Sequence, residues 1–401
     1  MADYVVIPEK IEKHSFYPFI HYKMKMDKYS SKKGRVQKER DIYYASHRDR
    51  CVFQYYAHLI NEKYNQYVYN LGIDKVAVAY RNNLHENNII SSKRAFDYIK
   101  ALGNSYVMIG DFKNFFDRLN HAYLKKQLTL VLGTDVLSKD YYAVYKNVTR
   151  YAYVDIADIL RINRLNDNKE GRRKLNKKKT VLTQEQFEEH RHDIVHKNED
   201  KYGIPQGSPI SAVLANVYMV TADKIINDYV TKFNGFYMRY SDDFIVIIPY
   251  EEDYKAVFEY IRDLLDGVPD LILEPNKTQI FSVEDGHIQN IGSEILEDAD
   301  CSKNDINFLG FTFNGKTITL RAKTVGKYYY RMHRKAKYAH RHSRKKILYK
   351  RYSERGSYGS EGNFFSYVRN AEKVYGDNED IRHDLKNDMA KIRRAIQMSE
   401  E

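Results

Sequence analysis

Residues 236–249 read FYMRYSDDFIVIIP. Two apolar runs flank a Ser-Asp-Asp tip, the pattern of a strand, a tight turn and a second strand. Adjacent carboxylates at a hairpin tip repel one another unless a positive charge sits there. A divalent metal is the natural counter-charge, and Mg²⁺ suits one or two carboxylates together with substrate phosphates. A lone Asp-Asp is more often a surface turn. Here the flanking strands fix the tip, and a second apolar run, SYVMIGDF at 105–112, also reaches an acid, Asp111. Asp111, Asp242 and Asp243 are therefore expected on neighbouring strands. Two metals among them would clamp the attacking and leaving oxygens of a phosphoryl transfer.

Around this centre, residues 51–70 have helical spacing. SSKRAFDYIKALG (91–103) predicts a helix capped at Ser91 or Ser92 and closed by Gly103. HAYLKKQLTLVLG (121–133) predicts a second amphipathic helix. Residues 161–180, polar and basic, read as a loop or insertion. QEQFEEHRHDIVHKNED (184–200) reads as helix, which would pair His192 with His196 at i,i+4. With His190 they lack the ligand complement of a zinc site, and a polar helix face is the better reading. PISAVLANVYMVTADKIINDY (209–229) predicts one long helix and DYKAVFEYIRDLLDG (253–267) another. INFLGFTFNGKTITL (306–320) predicts a hairpin turning at Asn314-Gly315. Ile381, Leu385, Met389, Ile392 and Ile396 keep the spacing of a C-terminal helix. The whole order predicts an α+β core with helical additions.

The 401 residues suffice for two or three packed subdomains. Mean hydropathy is −0.67, and no run of about 18 apolar residues suggests a membrane span. The N-terminal stretch MADYVVIPEK does not read as a secretory signal. Cys51 and Cys301 cannot make a disulfide framework or a four-thiolate zinc site, so a reducing cytosol is expected. The net charge is +12. From Arg321 to Arg355 there are 14 Lys or Arg against Glu354 alone, a net of +13, so the remainder sums to −1. One segment carries the excess, which points to a polyanionic partner. Tyrosine is abundant, 37 residues, and often adjoins Lys or Arg, as in KYYYRMHRK. A ring on a base and a cation on a phosphate form a nucleic-acid pairing, although a solvated basic helix over packed tyrosines has the same composition.

GIPQGSPISAVLANVYM (203–219) followed by YSDD resembles the reverse transcriptase signature of the bacterial retroelement type. The resemblance runs from about Arg40 to Tyr330. DFKNFFD (111–117) resembles the first carboxylate block, IPQGSPIS (204–211) the nucleotide pocket, LEPNKTQIF (273–281) the lysine block and INFLGFTF (306–313) the primer grip. Ser241 departs from the Ala, Met or Val commoner at that place. The resemblance implies an α+β right-hand polymerase with fingers, a palm built on an antiparallel sheet, and a helical thumb. Its parts would be 1–105 (N-terminal segment and fingers), 106–160 (palm), 161–202 (basic insertion and fingers), 203–318 (palm with YSDD hairpin and primer grip) and 319–401 (basic thumb). It implies catalytic Asp111, Asp242 and Asp243 holding two Mg²⁺ ions, or Mn²⁺, with the Phe112 carbonyl assisting.

Further roles follow from the same resemblance. Phe116 falls at the steric gate that excludes a ribose 2′-OH, although Phe115 could take that register and either ring could be core. Gln206 resembles the pocket glutamine, and Gly207 lets backbone approach a ligand; Ser208-Pro209 also fits an N-cap with Pro at N1. Lys277 would sit near the triphosphate as general acid on pyrophosphate, or be a solvated lysine. Arg48 and Arg50 resemble the basic element over the triphosphate, Arg50 the better candidate; either could instead be satisfied by Asp49 or a surface carboxylate. Arg81 would line the template path. Leu309 and Gly310 would shape the primer grip. Arg331, Arg334, Lys335, Arg341 and Lys345 fall in the thumb, where the resemblance implies phosphate-led contacts to nucleic acid.

The chain stops after the expected thumb, with no ribonuclease H or HNH pattern. It reads PQGSPIS rather than PQGGIISP, lacks the VTG triplet of retron enzymes, and lacks GLPLGNLTSQ. FLGFTFNGKTITLRAKTVGKYYYRMHRKAK (308–337) most resembles the bacterial defence-associated and abortive-infection reverse transcriptases of the unknown-group type, within them the stand-alone class 2 enzymes. That implies an RNA-directed DNA polymerase copying a structured non-coding RNA into cDNA from dNTPs, in antiviral defence. A cytoplasmic location with no membrane partner is expected, and homo-oligomerisation stays open. A retron-like enzyme, template-independent DNA synthesis and a catalytically silent RNA-binding platform stay open too. The intact carboxylate set counts against the platform, because unused buried carboxylates are costly.

Overall fold

Ser105–Asp111 is a strand buried over most of its length, as a short continuous apolar run requires. It is the third of twelve strands in the computed structural model, which describes residues 1–30, 34–296, 299, 301–341, 345–359, 363–376 and 379–398. Among the described residues the strands are β1 (Phe19–Ser30), β2 (Gly34–Tyr44), β3 (Ser105–Asp111), β4 (Ala152–Asp155), β5 (Val195–Lys197), β6 (Phe236–Tyr240), β7 (Asp243–Pro249), β8 (Gln279–Glu284), β9 (His287–Asn290), β10 (Ile306–Phe308), β11 (Phe311–Phe313) and β12 (Ile318–Leu320). The chain divides into two compact units. The first is Met1–Tyr80, Phe112–Ile225 and Asp263–Ile272; the second is Arg81–Asp111, Ile226–Arg262 and Leu273–Glu401. No helix of the described residues is long and apolar enough to cross a membrane.

The first unit holds a four-stranded sheet in the order β2-β1-β4-β5. Its largest part is the β1–β2 hairpin, in register from Ile20↔Tyr44 to Ser30↔Gly34. The sequence reading placed no strand here. Its period-2 signal, Ile20, Tyr22, Met24 and Met26 alternating with His21, Lys23, Lys25 and Asp27, is veiled by charge. Helix His47–Asn70 is capped by the Ser46 side chain and buries Val52, Phe53, Tyr56, Ile60, Tyr64 and Val68. The supposed loop at 161–180 is partly helical: Ile156–Ile162 runs into it and Lys169–Leu175 lies within it. Leu175 packs with Val154, Ile159 and Ile194, and Ile162 and Leu165 pack against the same cluster; so few apolar anchors are easily lost among basic residues. The helix Gln184–Ile194 ends two residues before His196, which pairs opposite Tyr153 in β4, so no i,i+4 histidine pair forms. The long helix begins at Ser211, not at Pro209. The Ser208 hydroxyl is buried without a hydrogen-bond partner, so it does not cap the helix, and Ser208-Pro209 belongs to the preceding turn.

The second unit holds a five-stranded sheet, β6-β7-β3-β8-β9, antiparallel throughout. Helix Asn88–Leu102 is capped by Asn87, whose side chain accepts from Ile89 N and Ile90 N. Ser91 and Ser92 sit buried at its fourth and fifth positions, and the Ser92 hydroxyl bonds the Tyr375 hydroxyl at 2.7 Å. Their expected capping role is thus taken by the earlier asparagine. Gly103 closes the helix at φ +73°. Residues 306–320 form a three-stranded meander, β10-β11-β12, turning first at Leu309-Gly310 and again at 314–317. Helices Ala322–Arg341, Lys345–Tyr352, Phe364–Tyr375 and Asp388–Gln397 follow. The C-terminal helix is shorter than its apolar spacing suggests. Asn387 takes a left-handed φ of +62°, so Leu385 falls in a separate 3₁₀ turn and Ile381 before it.

Candidate active site

Register brings the carboxylates together. Asp111, the last residue of β3, lies opposite Asp243, the first of β7. Ser241 and Asp242 form the tip between β6 and β7, with Ser241 in the left-handed region at φ +63°. Arg239 lies fully buried behind this tip and donates to the Ser241 carbonyl at 2.9 Å. Gly110 permits close packing beside Asp111: a Cβ there would stand 2.3 Å from the Phe244 ring.

Lys277 Nζ donates to Asp111 Oδ2 at 2.9 Å. Its turn, Pro275–Lys277, is tied to β3 because Glu274 N–H donates to the Asp111 carbonyl. The other Asp111 oxygen, Oδ1, is buried without a hydrogen-bond partner. A buried carboxylate oxygen left without a donor is costly unless a cation completes it. Burial raises Asp243 to about 7, and Asp242 and Asp111 push in the same direction, against Lys277 and Arg321. Burial also raises Asp242, with Asp111 adding to it. Three clustered carboxylates, two of them held above their usual range, and one orphaned oxygen form a donor set that fits hard divalent cations.

Residues 32–313 match the reverse transcriptase (RNA-dependent DNA polymerase) family. The chain belongs to that family. Its fold is α+β, that of a right-hand polymerase, with an antiparallel palm sheet. It is similar to the C-terminally truncated apo telomerase of Candida tropicalis, at 14% identity over 80% of this chain and 59% of that one, TM-score 0.46. It is also similar to telomerase of Candida albicans in complex with a TWJ fragment of telomeric RNA, at 13% identity over 98% and 62%, TM-score 0.42. The chain spans about three fifths of the length of these structures. No curated protein matches it.

The remaining expected site residues fall in either unit. In the first unit, Phe115 is buried and stacks on buried Phe112, whereas Phe116 is only half-buried. Core packing thus takes Phe115, and Phe116 is the more accessible ring. The Phe116 carbonyl accepts from Ile204 N–H at 2.9 Å. Gln206 is held twice: its carbonyl accepts from Tyr43 N–H at 2.8 Å, and its Nε2 donates to Asp117 Oδ1 at 3.1 Å. Gly207, at φ +109°, lies under the Tyr43 carbonyl, which a Cβ would approach to 2.7 Å. Arg48 and Arg50 are both exposed on helix His47–Asn70, and two residues on a helix differ by about 200°. Arg48 lies over the Tyr4 ring, 4.9 Å from its centroid. Asp49 satisfies neither arginine; its carboxylate accepts from Tyr17 N–H and bonds His14.

In the second unit, Leu309 (φ +46°) and Gly310 (φ +96°) form the β10–β11 turn. Asn88 Nδ2 donates to both the Leu309 carbonyl and the Tyr367 hydroxyl at 3.0 Å. Arg331, Arg334 and Lys335 are exposed on helix Ala322–Arg341, opposite buried Val325, Tyr328, Met332, Ala336 and Ala339. The side chains of Arg341 and Lys345 lie outside the described residues. Arg81 is 3% exposed, so it offers no template contact in this arrangement. Sequence reasoning missed Arg239 and Asp117. An arginine inside the apolar strand FYMRY was a signal for the first; nothing in the sequence separated Asp117 from an ordinary surface acid. In the first unit, Asp155, Asp158 and His196 also offer ligand atoms within 4.8 Å of one another.

Proposed function

We propose that the chain is an RNA-directed DNA polymerase with Asp111, Asp242 and Asp243 as its catalytic carboxylates. One observation carries the reading: Asp111 and Asp243 face each other in strand register beside Asp242, with a buried Asp111 oxygen unpartnered. These three side chains would hold two Mg²⁺ ions, or Mn²⁺, with the Phe112 carbonyl as an assisting ligand. Bound ions would activate a primer hydroxyl and neutralise charge developing on the triphosphate. Lys277 balances Asp111 and would donate a proton to pyrophosphate. Phe116 would exclude the 2′-OH, Gln206 and Arg50 would contact the incoming dNTP, and Leu309 and Gly310 the primer. Arg331, Arg334 and Lys335, with Arg341 and Lys345, would hold phosphates.

The finer reading extends this to a structured non-coding RNA as template, cDNA as product and a cytoplasmic antiviral role of the class 2 type. It rests on the 308–337 sequence and the concentrated thumb charge. The test is to purify wild type and Asp242→Asn/Asp243→Asn with their bound RNA, add Mg²⁺ and labelled dNTPs with an rNTP control, and sequence the product. DNA complementary to one bound RNA, made by wild type alone, is expected. RNA bound without incorporation by either protein would favour a silent platform. Equal incorporation by both would overturn the carboxylate assignment.

A further inference from the structure

The first unit carries a cavity of about 750 Å³ that shares only Arg48 with the expected nucleotide-binding residues. Its chemistry is one-sided. Lys13, Arg48, Arg191 and Lys197 line it, and no lining residue is a carboxylate. Tyr17 and Phe187 add rings to the same wall. Phe187 and Arg191 are four residues apart on helix Gln184–Ile194, so they share one face.

The loop beneath is anchored from below. Asp49 is 1% exposed, accepts from Tyr17 N–H at 3.0 Å and bonds His14 Nε2 at 2.9 Å. Phe16 stacks on the buried ring of Phe53 at 5.2 Å. These anchors fix the loop yet leave Tyr17 60% exposed. A ring held in water by a rigid support costs free energy that a stacking ligand would return.

We propose that this cavity binds one or two nucleotides of an unpaired RNA strand. Cations meet phosphates, and Tyr17 and Phe187 meet base faces. The volume lies within the range of about 300–1,000 Å³ usual for ligand sites. Duplex bases are stacked internally and cannot offer their faces, so the strand is single. The choice of RNA over an acidic peptide rests on the polymerase reading and on the exposed ring.

The test uses the full chain and a short single-stranded RNA carrying 4-thiouridine, without dNTPs or metal. Crosslinks are mapped by mass spectrometry, and affinity is measured over a salt series against a duplex of equal length and against poly-glutamate. Crosslinks are expected in the 13–18 or 184–197 peptides. Tyr17→Ala should weaken single-strand binding about tenfold without changing the salt slope. Arg191→Glu/Lys197→Glu should weaken it and lower the slope by about 1.4. Both should keep wild-type primer extension on a short pre-annealed template. Crosslinks elsewhere only, an equal loss of duplex binding, or poly-glutamate displacing the RNA from these peptides would overturn the site. Crosslinking here by a wild type that never polymerises would overturn the polymerase reading and leave this one standing.

Discussion

At the scale of single residues, the carboxylate cluster is a stability cost. Burial and its two neighbours hold Asp243 at about 7. Replacing it should relieve that cost while removing function. Asp243→Asn is expected to raise metal-free stability by about 1 kcal/mol and to abolish incorporation, as denaturant unfolding and primer extension would report. Gly110 makes the opposite case. A methyl group 2.3 Å from the Phe244 ring must displace that ring or β3 itself. Gly110→Ala should cost about 1–3 kcal/mol and lose activity, because Asp111 follows directly. Arg239 fixes the tip from behind. Arg239→Met leaves the Ser241 carbonyl without its donor and should cost about 1–3 kcal/mol, read by thermal unfolding. The acidic tip was legible because it broke two apolar runs. The role of Arg239 was not, because burial of a charge depends on neighbours far away in sequence.

At the scale of elements, the basic helix separates its two tasks by face. Val325, Tyr328, Met332, Ala336 and Ala339 are buried, while Lys323, Lys327, Arg331, Arg334 and Lys335 are exposed. Arg331→Glu/Arg334→Glu should weaken duplex binding and reduce the salt slope by about 2, with unfolding unchanged. Met332→Ala should do the reverse, costing about 2–5 kcal/mol with the slope intact. Titrating binding against salt beside a melt separates the two. Elements with plain periodicity, such as β3, β7 and the long helix at 211–231, were readable from sequence alone. Others were obscured by identifiable features. Charge veiled the alternation of β1, an earlier Asn87 took the cap from Ser91 and Ser92, and a left-handed Asn387 broke a helix whose apolar spacing ran on. Such choices turn on local backbone energies of about 1 kcal/mol, which spacing does not register.

For the whole molecule, the two units interleave along the chain, with crossings after Tyr80, Asp111, Ile225, Arg262 and Ile272. Neither unit is one continuous stretch. The order of motifs made the palm sheet legible, because each block ended on a chemically marked residue. The interleaving was not legible, since no run of Gly, Pro or Ser marks the crossings.

Central placement of β3 has a consequence for biogenesis. Its partners are β7 and β8, the nearer beginning 132 residues after Asp111. At ribosomal rates of about 5–20 residues per second, β3 waits roughly 7–26 s for its first neighbour. During that interval an apolar strand with two open edges is exposed to other nascent chains. Ribosome-bound chains halted before Asp243 should therefore recruit holdase chaperones at β3, and chains halted after Glu284 should not. Selective pulldown of stalled nascent chains would reveal the difference.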